Sequence, residues 1–424
     1  MACDNMQKSM AHCENIRDSG VEWLGEIPAH WNVTRIKYAA QLSPACDIKK
    51  LNSDAMITFT PMECIHDGYF DNKSVPLSYI KGTYTPYAEG DIVLAKVTPC
   101  FENGNISVME ELASGYGLGS SELFVLRPYA VNKWYLFYYL RNEQFIQRAC
   151  ASMTGTGGLK RIPGTFIQNY PLLLPSPEEQ EAISKYLNDK CAQINSLISE
   201  IESTIKEYVS WKSSIIYEAV TKGLDRNVEM KDSGVDIIGY VPKDWTLRRL
   251  KFLCSVMTGN QDTQNAVDNG IYPFYVRSPI VERSNVYTYE GEGVLMAGDG
   301  AGAGRVFHHA FGKYAIHQRV YCFHDFHNIL PDYFYYFMSE LFKHEMDKGS
   351  AQSTVPSVRM PMIVNYQICL PPIDEQRHIV KAIEKSCKLI DSIIAEKEQL
   401  IVDLTDYKKS LIFEVVTGKR RIIS

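Results

Sequence analysis

The chain is 424 residues long, 45% hydrophobic and 22% charged, with a formal net charge of −6. These values fit an ordinary soluble globular protein with two or three cores and argue against a uniformly basic nucleic-acid binder. The longest hydrophobic run, 134–140, is too short to span a bilayer, and the eleven cysteines lack any CxxC or zinc-type spacing, which suits a reducing compartment better than a disulfide framework.

The first twenty residues hold no apolar core of a secretory signal, so a cytoplasmic protein is expected. The stretch DSGVEWLGEIPAHW at 18–31 follows, and DSGVDIIGYVPKDW repeats it at 232–245. Further along, YLFYYL from Tyr135 is matched by YFYYFM from Tyr333, LPSPEEQ at 174–180 by LPPIDEQ at 370–376, and EAVTKG at 218–223 by EVVTGK at 414–419. The offset between copies falls from 214 to 198 to 196, so the first copy carries about sixteen extra residues between Trp31 and Tyr135.

Each copy follows one plan. A short entry segment ends in Trp, a variable domain rich in Gly, Tyr and β-branched residues follows, an LP boundary closes it, and a long helix comes last. Runs such as DIVLAKV at 91–97 and GVLMAG at 293–298 read as strands between turns. Aromatic helices are expected around 134–146 and 333–346, which makes each domain mixed α+β. His324 and His327 in HDFH read as ordinary histidines, because zinc normally needs three or four protein ligands.

The long helices have clear start and stop signals. Ser176 can cap the first with Pro177 at its first position and Glu179 closing a capping box, and Gly223 and Gly418 follow the two helices as stops. Leu187, Ile194, Ile201, Tyr208 and Ile215 recur every seven residues, with Ile183, Leu197 and Trp211 expected to flank them. The second helix repeats this with Ile383, Ile390, Lys397, Leu404 and Leu411, flanked by Ile379, Ile393, Leu400 and Tyr407. The additional apolar positions Ile198, Ile205, Ile394 and Ile401 widen each stripe beyond a two-helix seam, so the helices are expected to pair and to offer a face to something else. A helix from 176 to 221 is on the order of 65 Å long.

The doubled order of these motifs resembles the DNA-specificity subunit of a type I restriction-modification system, over nearly the whole chain from about Asp18. The resemblance implies an α+β chain with two globular target recognition domains, joined by two long antiparallel coiled-coil helices in an internal pseudo-twofold duplication. The expected boundaries are an N-terminal entry segment at 1–30, recognition domain 1 at 31–173, and spacer helix 1 with linker at 174–231. The repeated entry segment at 232–244, recognition domain 2 at 245–369 and spacer helix 2 at 370–424 complete the chain. It further implies that each domain reads one half of a bipartite asymmetric DNA site, while the coiled coil sets the half-site separation and docks two methyltransferase subunits. Two restriction subunits with endonuclease and translocase activity can join such a complex. No cofactor is expected in this chain; S-adenosylmethionine and ATP belong to partner subunits. The physical logic agrees: a homodimer selects a palindrome, whereas two diverged copies in one chain can read two different half-sites. A non-enzymatic coiled-coil adaptor with two protein-binding domains is the alternative.

Catalysis by the chain itself lacks motifs. No (N/D)PP(Y/F) or GxxxxGK(S/T) occurs, and GDGAGAG at 298–304 is followed by the strand-like RVFHHAF instead of a phosphate-holding helix N-terminus. Charge is uneven: residues 31–175 hold 13 basic against 12 acidic residues, 245–371 hold 11 of each, and 176–231 hold 7 against 10. Nearly neutral recognition domains should bind DNA weakly alone, with partner subunits adding basic surface. Residue chemistry suited to bases and phosphates selects Lys96, Thr98, Asn103, Asn105, Ser120, Ser121, Lys160 and Arg161 in the first domain. Arg277, Arg305, His317, Gln318, Arg319, Ser353 and Arg359 are the candidates in the second. Arg359 is expected to correspond to Lys160 and Arg161, as a phosphate-positioning residue.

Overall fold

A computed structural model describes residues 15–155, 158–349 and 356–422. The chain divides into two compact units, one made of Met1–Glu200 with Leu400–Ser424 and the other of Ile201–Gln399. No described helix is long and apolar enough to cross a membrane.

The units share one topology. In the first, strand Ile92–Ala95 is buried along its whole length, as its unbroken apolar run requires. It sits inside an antiparallel sheet ordered Ala40–Leu42, Leu123–Pro128, Ile92–Ala95, Ile106–Val108. A second sheet is ordered Ser74–Pro76, Met56–Thr60, Tyr116–Gly119, Thr85–Ala88, with a parallel pairing at its centre. In the second unit the sheets are Ser255–Thr258, Val320–His324, Gly293–Ala297, Phe307–Ala310 and Glu282–Ser284, Tyr272–Tyr275, Lys313–Ile316, Tyr289–Glu290, again with one parallel pair. Pairing partners locate the first copy's additional residues. The offset between copies is 215 at Thr60 and Tyr275, 209 at Val75 and Ser284, and 202 at Tyr87 and Tyr289. The loops flanking the edge strand Ser74–Pro76 therefore hold most of the insertion.

The expected aromatic helices are each broken in two. Asn142 is fully buried and its side chain accepts from the Phe145 N–H, so Lys133–Leu140 ends and Glu143–Ser152 begins there. In the second copy Pro331–Leu341 and Lys343–Gly349 are separated at Phe342.

The long helices run Pro177–Lys222 and Ile373–Val416. The capping box forms: Ser176 Oγ accepts from the Glu179 N–H at 3.2 Å and Glu179 Oε2 accepts from the Ser176 N–H at 3.3 Å. Gly223 and Gly418 close the helices at φ +74° and +73°, where a side chain would be strained. Their seam corrects the expected flanking positions. The column Leu187, Ile194, Ile201, Tyr208, Ile215 alternates with Cys191, Ile198, Ile205, Lys212 and Ala219, all buried or half-buried, whereas Leu197 and Trp211 are exposed. In the second helix Ile383, Ile390, Lys397, Leu404 and Leu411 alternate with Cys387, Ile394, Ile401, Lys408 and Val415, and Leu400 and Tyr407 are exposed. The positions that looked surplus are the second column of the seam.

Three lysines interrupt that apolar seam, and each has a partner. Lys212 meets Asp391 at 2.7 Å, Lys397 lies over the Tyr208 ring at 5.8 Å, and Lys408 donates to Asn195 at 3.1 Å. Single polar seam positions fix register at some cost in stability. Within each unit the helices are antiparallel, because the end of one lies at the start of the other.

The repeated motifs meet at that point. In the first unit Trp31 Nε1 donates to Glu179, and Gly418 leaves no room for a Cβ between Pro28 and Trp31. In the second, Trp245 Nε1 donates to Glu375, and Gly223 packs on Trp245. Gln180 bridges the Pro175 carbonyl and the Asn132 N–H, while Gln376 bridges Pro371 and the Leu330 N–H. Tyr135 donates to the Leu173 and Val416 carbonyls, and Tyr333 to those of Cys369 and Val220. Burial alone would raise Glu179, but hydrogen bonds from His30, Ser176 and Trp31 outweigh it and hold the carboxyl below its usual value. The entry Trp, the boundary Glu-Gln and the terminal Gly are thus parts of one junction, built twice.

Candidate nucleic-acid interface

Three separate segments converge at the end of strand Ile92–Ala95 in the first unit. The Lys96 N–H donates to the Glu122 carbonyl, and the Lys96 carbonyl accepts from the Ile162 N–H. This brings together the loop 96–105, the turn 120–122 and the segment 158–161. The second unit repeats these bonds with Gly298, Arg319 and Val358. Its face is made of the loop 298–305, the turn 317–319 and the segment 356–359, so both faces belong to the same place in the topology.

Most of the sequence candidates lie on these faces. Lys96 donates to the Ser121 carbonyl at 2.6 Å and lies over the Phe124 ring. Ser120 caps the turn by accepting from the Glu122 N–H, Ser121 is exposed, and Asn103 and Asn105 occupy the neighbouring loop with their N–H groups on the Pro99 and Cys100 carbonyls. Lys160 is exposed. Arg161 makes a two-pronged pair with Glu122 at 2.9 and 3.0 Å, and that hydrogen bonding holds the Glu122 carboxyl below its ordinary value.

In the second unit Arg277 and Arg319 converge on Asp299, at 3.0 and 3.7 Å, and the Gln318 amide donates to Asp262. Arg305 closes the glycine-rich loop and pairs with Asp347. That loop joins two strands, as its sequence suggests, and Gly302 is required because a Cβ would lie 2.5 Å from the Arg277 carbonyl.

Two candidates are placed otherwise. Thr98 is buried, with its Oγ donating to the Gly158 carbonyl and accepting from the Lys160 N–H. His317 is 2% exposed; its Nδ1 accepts from the Arg319 N–H and its Nε2 lies 3.3 Å from Thr263 Oγ. Burial pushes its pKa below the usual histidine value. Both residues hold the loops that carry the exposed candidates. The expected correspondence of Arg359 with Lys160 and Arg161 also shifts. The bridges Val97 to Arg161 and Asp299 to Ser357 make Arg161 equivalent to Ser357, which places Arg359 opposite Pro163 at the start of a short helix. Ser353 lies outside the described residues.

Sequence reasoning passed over the carboxylates. Glu122, Asp299 and Asp262 sit among the candidates and restrain their basic side chains. Equivalent positions carry opposite charge: Glu122 of the first face stands where Arg319 stands in the second. The two faces share a backbone and present different hydrogen-bonding groups.

The family model described as type I restriction modification DNA specificity domain matches twice, over 49–207 and 242–401. The chain belongs to this family. The type I restriction enzyme EcoAI specificity subunit from Escherichia coli is 35% identical over 163 residues, covering 37% of this chain and 27% of that protein. This chain thus spans about a quarter of the length of that specificity subunit. The MjaVIII specificity subunit of Methanocaldococcus jannaschii is 24% identical over 93% of this chain and 94% of its own. A chain from a structure concerned with complex assembly and conformational transition of the type I R-M system superposes with a TM-score of 0.73 at 15% identity, covering 92% of this chain and 99% of that one. That likeness is one of fold, and the two matches of the family model fall one on each copy of the duplication in this type I specificity-family member.

Proposed function

We propose that this chain is the sequence-specific DNA-binding subunit of a type I restriction-modification complex. Each recognition domain reads one half of a bipartite, asymmetric site through the face described above. The observation that carries this is the pair of equivalent faces with different side chains, Glu122 and Arg161 in one and Arg277, Asp299 and Arg319 in the other. Arginines suit guanine and phosphate, carboxylates accept from cytosine, and the same backbone can therefore select two different sequences.

The paired helices separate the two half-sites and dock methyltransferase subunits, for which the exposed Leu197, Trp211, Leu400 and Tyr407 provide apolar contact. The chain is non-catalytic in this reading. S-adenosylmethionine and ATP are carried by the methyltransferase and restriction subunits, and those partners add the basic surface that the nearly neutral recognition domains lack. Single-molecule mapping of methylated bases, with the gene intact and deleted, tests the assignment. A split motif that disappears on deletion supports it; an unchanged methylation pattern in a host whose methyltransferase subunit is expressed refutes it.

A further inference from the structure

Asp67 lies in the loop 61–73, where the first copy is longer than the second, and it is the hub of a polar network within the first unit. Its carboxylate accepts from Arg141, whose side chain is 9% exposed, and stands 3.7 Å from Lys408 Nζ, whose side chain is 13% exposed. Lys408 also donates to Asn195 of the first long helix. Arg141 is held in place by the Phe137 ring at 4.9 Å and by Gly68, whose backbone takes φ +96° beneath the guanidinium.

The other side of the network is the loop 96–105 of the proposed DNA face. Asp67 bridges to Ile106, the Gly68 N–H donates to the Ile106 carbonyl, and the Ile106 N–H donates to the His66 carbonyl. A Cβ on Gly104 would lie 3.1 Å from the Asp67 carboxylate. Asp67, Asn103, Gly104, Arg141 and Lys408 line one cleft of about 340 Å³. Asp67 thus ties the loop that carries Asn103 and Asn105 to Arg141 and to Lys408 of the second long helix, and Lys408 in turn reaches Asn195 of the first. In the second copy the corresponding lysine, Lys212, pairs with Asp391 of the other helix, and Ser213 beside it bonds Glu340 at the end of helix Pro331–Leu341.

We propose that Asp67, through Lys408 and Arg141, is the positioning residue that fixes the first recognition domain on the helix pair and so sets how strictly the half-site separation is enforced. The inference rests on the DNA-specificity reading above. Side-chain networks of this kind hold a domain in one arrangement, and loss of a member lets neighbouring arrangements be populated.

The test uses the whole chain expressed with its methyltransferase subunit in a host without background methylation, read by methylome mapping. D67N and K408M should keep both half-site sequences while methylation at separations one base pair longer or shorter rises about tenfold relative to the wild-type separation. K408R should retain the wild-type strictness, and K212M should leave it unchanged. Unaltered strictness in D67N and K408M overturns the proposal. So does relaxation of equal size in K212M, or loss of methylation at every separation by variants with unchanged thermal midpoints, which marks a role in binding itself and not in positioning. Absence of any split motif with the wild-type chain overturns the specificity reading itself, and is distinguishable because it precedes every variant.

Discussion

The junctions and the two equivalent loop faces of this molecule have diverged to very different degrees. At the junctions the two copies use the same residues for the same bonds: Trp31 and Trp245 donate to Glu179 and Glu375, and Gln180 and Gln376 bridge matching backbone groups. At the faces the backbone bonds persist while Glu122 is replaced by Arg319 and Arg161 by Ser357. A scaffold that must meet the same helix end twice admits one solution. The proposed reading of two half-sites asks for two different surfaces.

Breaking a junction should have the largest effect. Trp245 is 1% exposed, and W245A should cost about 3–5 kcal/mol in urea-induced unfolding of the second unit, through cavity formation and an unpaired Glu375. If binding assays on folded W245A instead show altered sequence preference at full stability, the division of labour drawn above is wrong. Q376L should cost about 1–3 kcal/mol, because the Leu330 N–H and the Pro371 carbonyl lose their buried partner.

Changes on a face should leave stability nearly untouched and alter selectivity. R319A is expected to relax discrimination in the second half-site by about 1–3 kcal/mol per contacted base pair and to leave the first half-site unchanged, read by competition binding with site variants. Removing one heptad from each long helix keeps the pairing register and shortens it by about 10 Å, which should contract the half-site separation by roughly three base pairs. An unchanged separation in the methylated motif would show that helix length does not set it.

The smallest effect concerns pH. Burial lowers the His317 pKa in the folded state, so the unfolded chain binds the proton more readily. The stability that His317 contributes is full above its unfolded value near 6.5 and is lost as the pH falls through the lower folded value. The thermal midpoint of the wild-type chain should therefore drop more steeply below pH 6.5 than that of H317Q.

Much of this architecture could be read in advance because its signals are local. The Ser176 to Glu179 capping box, the stops at Gly223 and Gly418, and the doubled entry and boundary motifs each lie within a few residues. The seam was ambiguous because Ile198, Leu197, Ile205 and Trp211 all offer apolar side chains at helical spacing, and only packing chooses among them. The break at Asn142 depends on burial of one capping side chain inside an aromatic run. At the faces, residue chemistry singled out Arg161, Arg277 and Arg319 as candidates, but the carboxylates that hold them lie 39, 22 and 20 positions away in the chain. Which acid meets which base is decided by sheet register, which a sequence pattern does not contain.

The discontinuity of the first unit bears on how the protein is made. Residues 201–399 form the second unit without interruption, so it can close once that stretch has left the ribosome. The first unit cannot: Tyr135 waits for the Val416 carbonyl, and Trp31 for Gly418. The domain encoded first is completed last, after closure of a loop of nearly four hundred residues, and the growing chain must carry its unfinished apolar surface throughout the synthesis of its own duplicate.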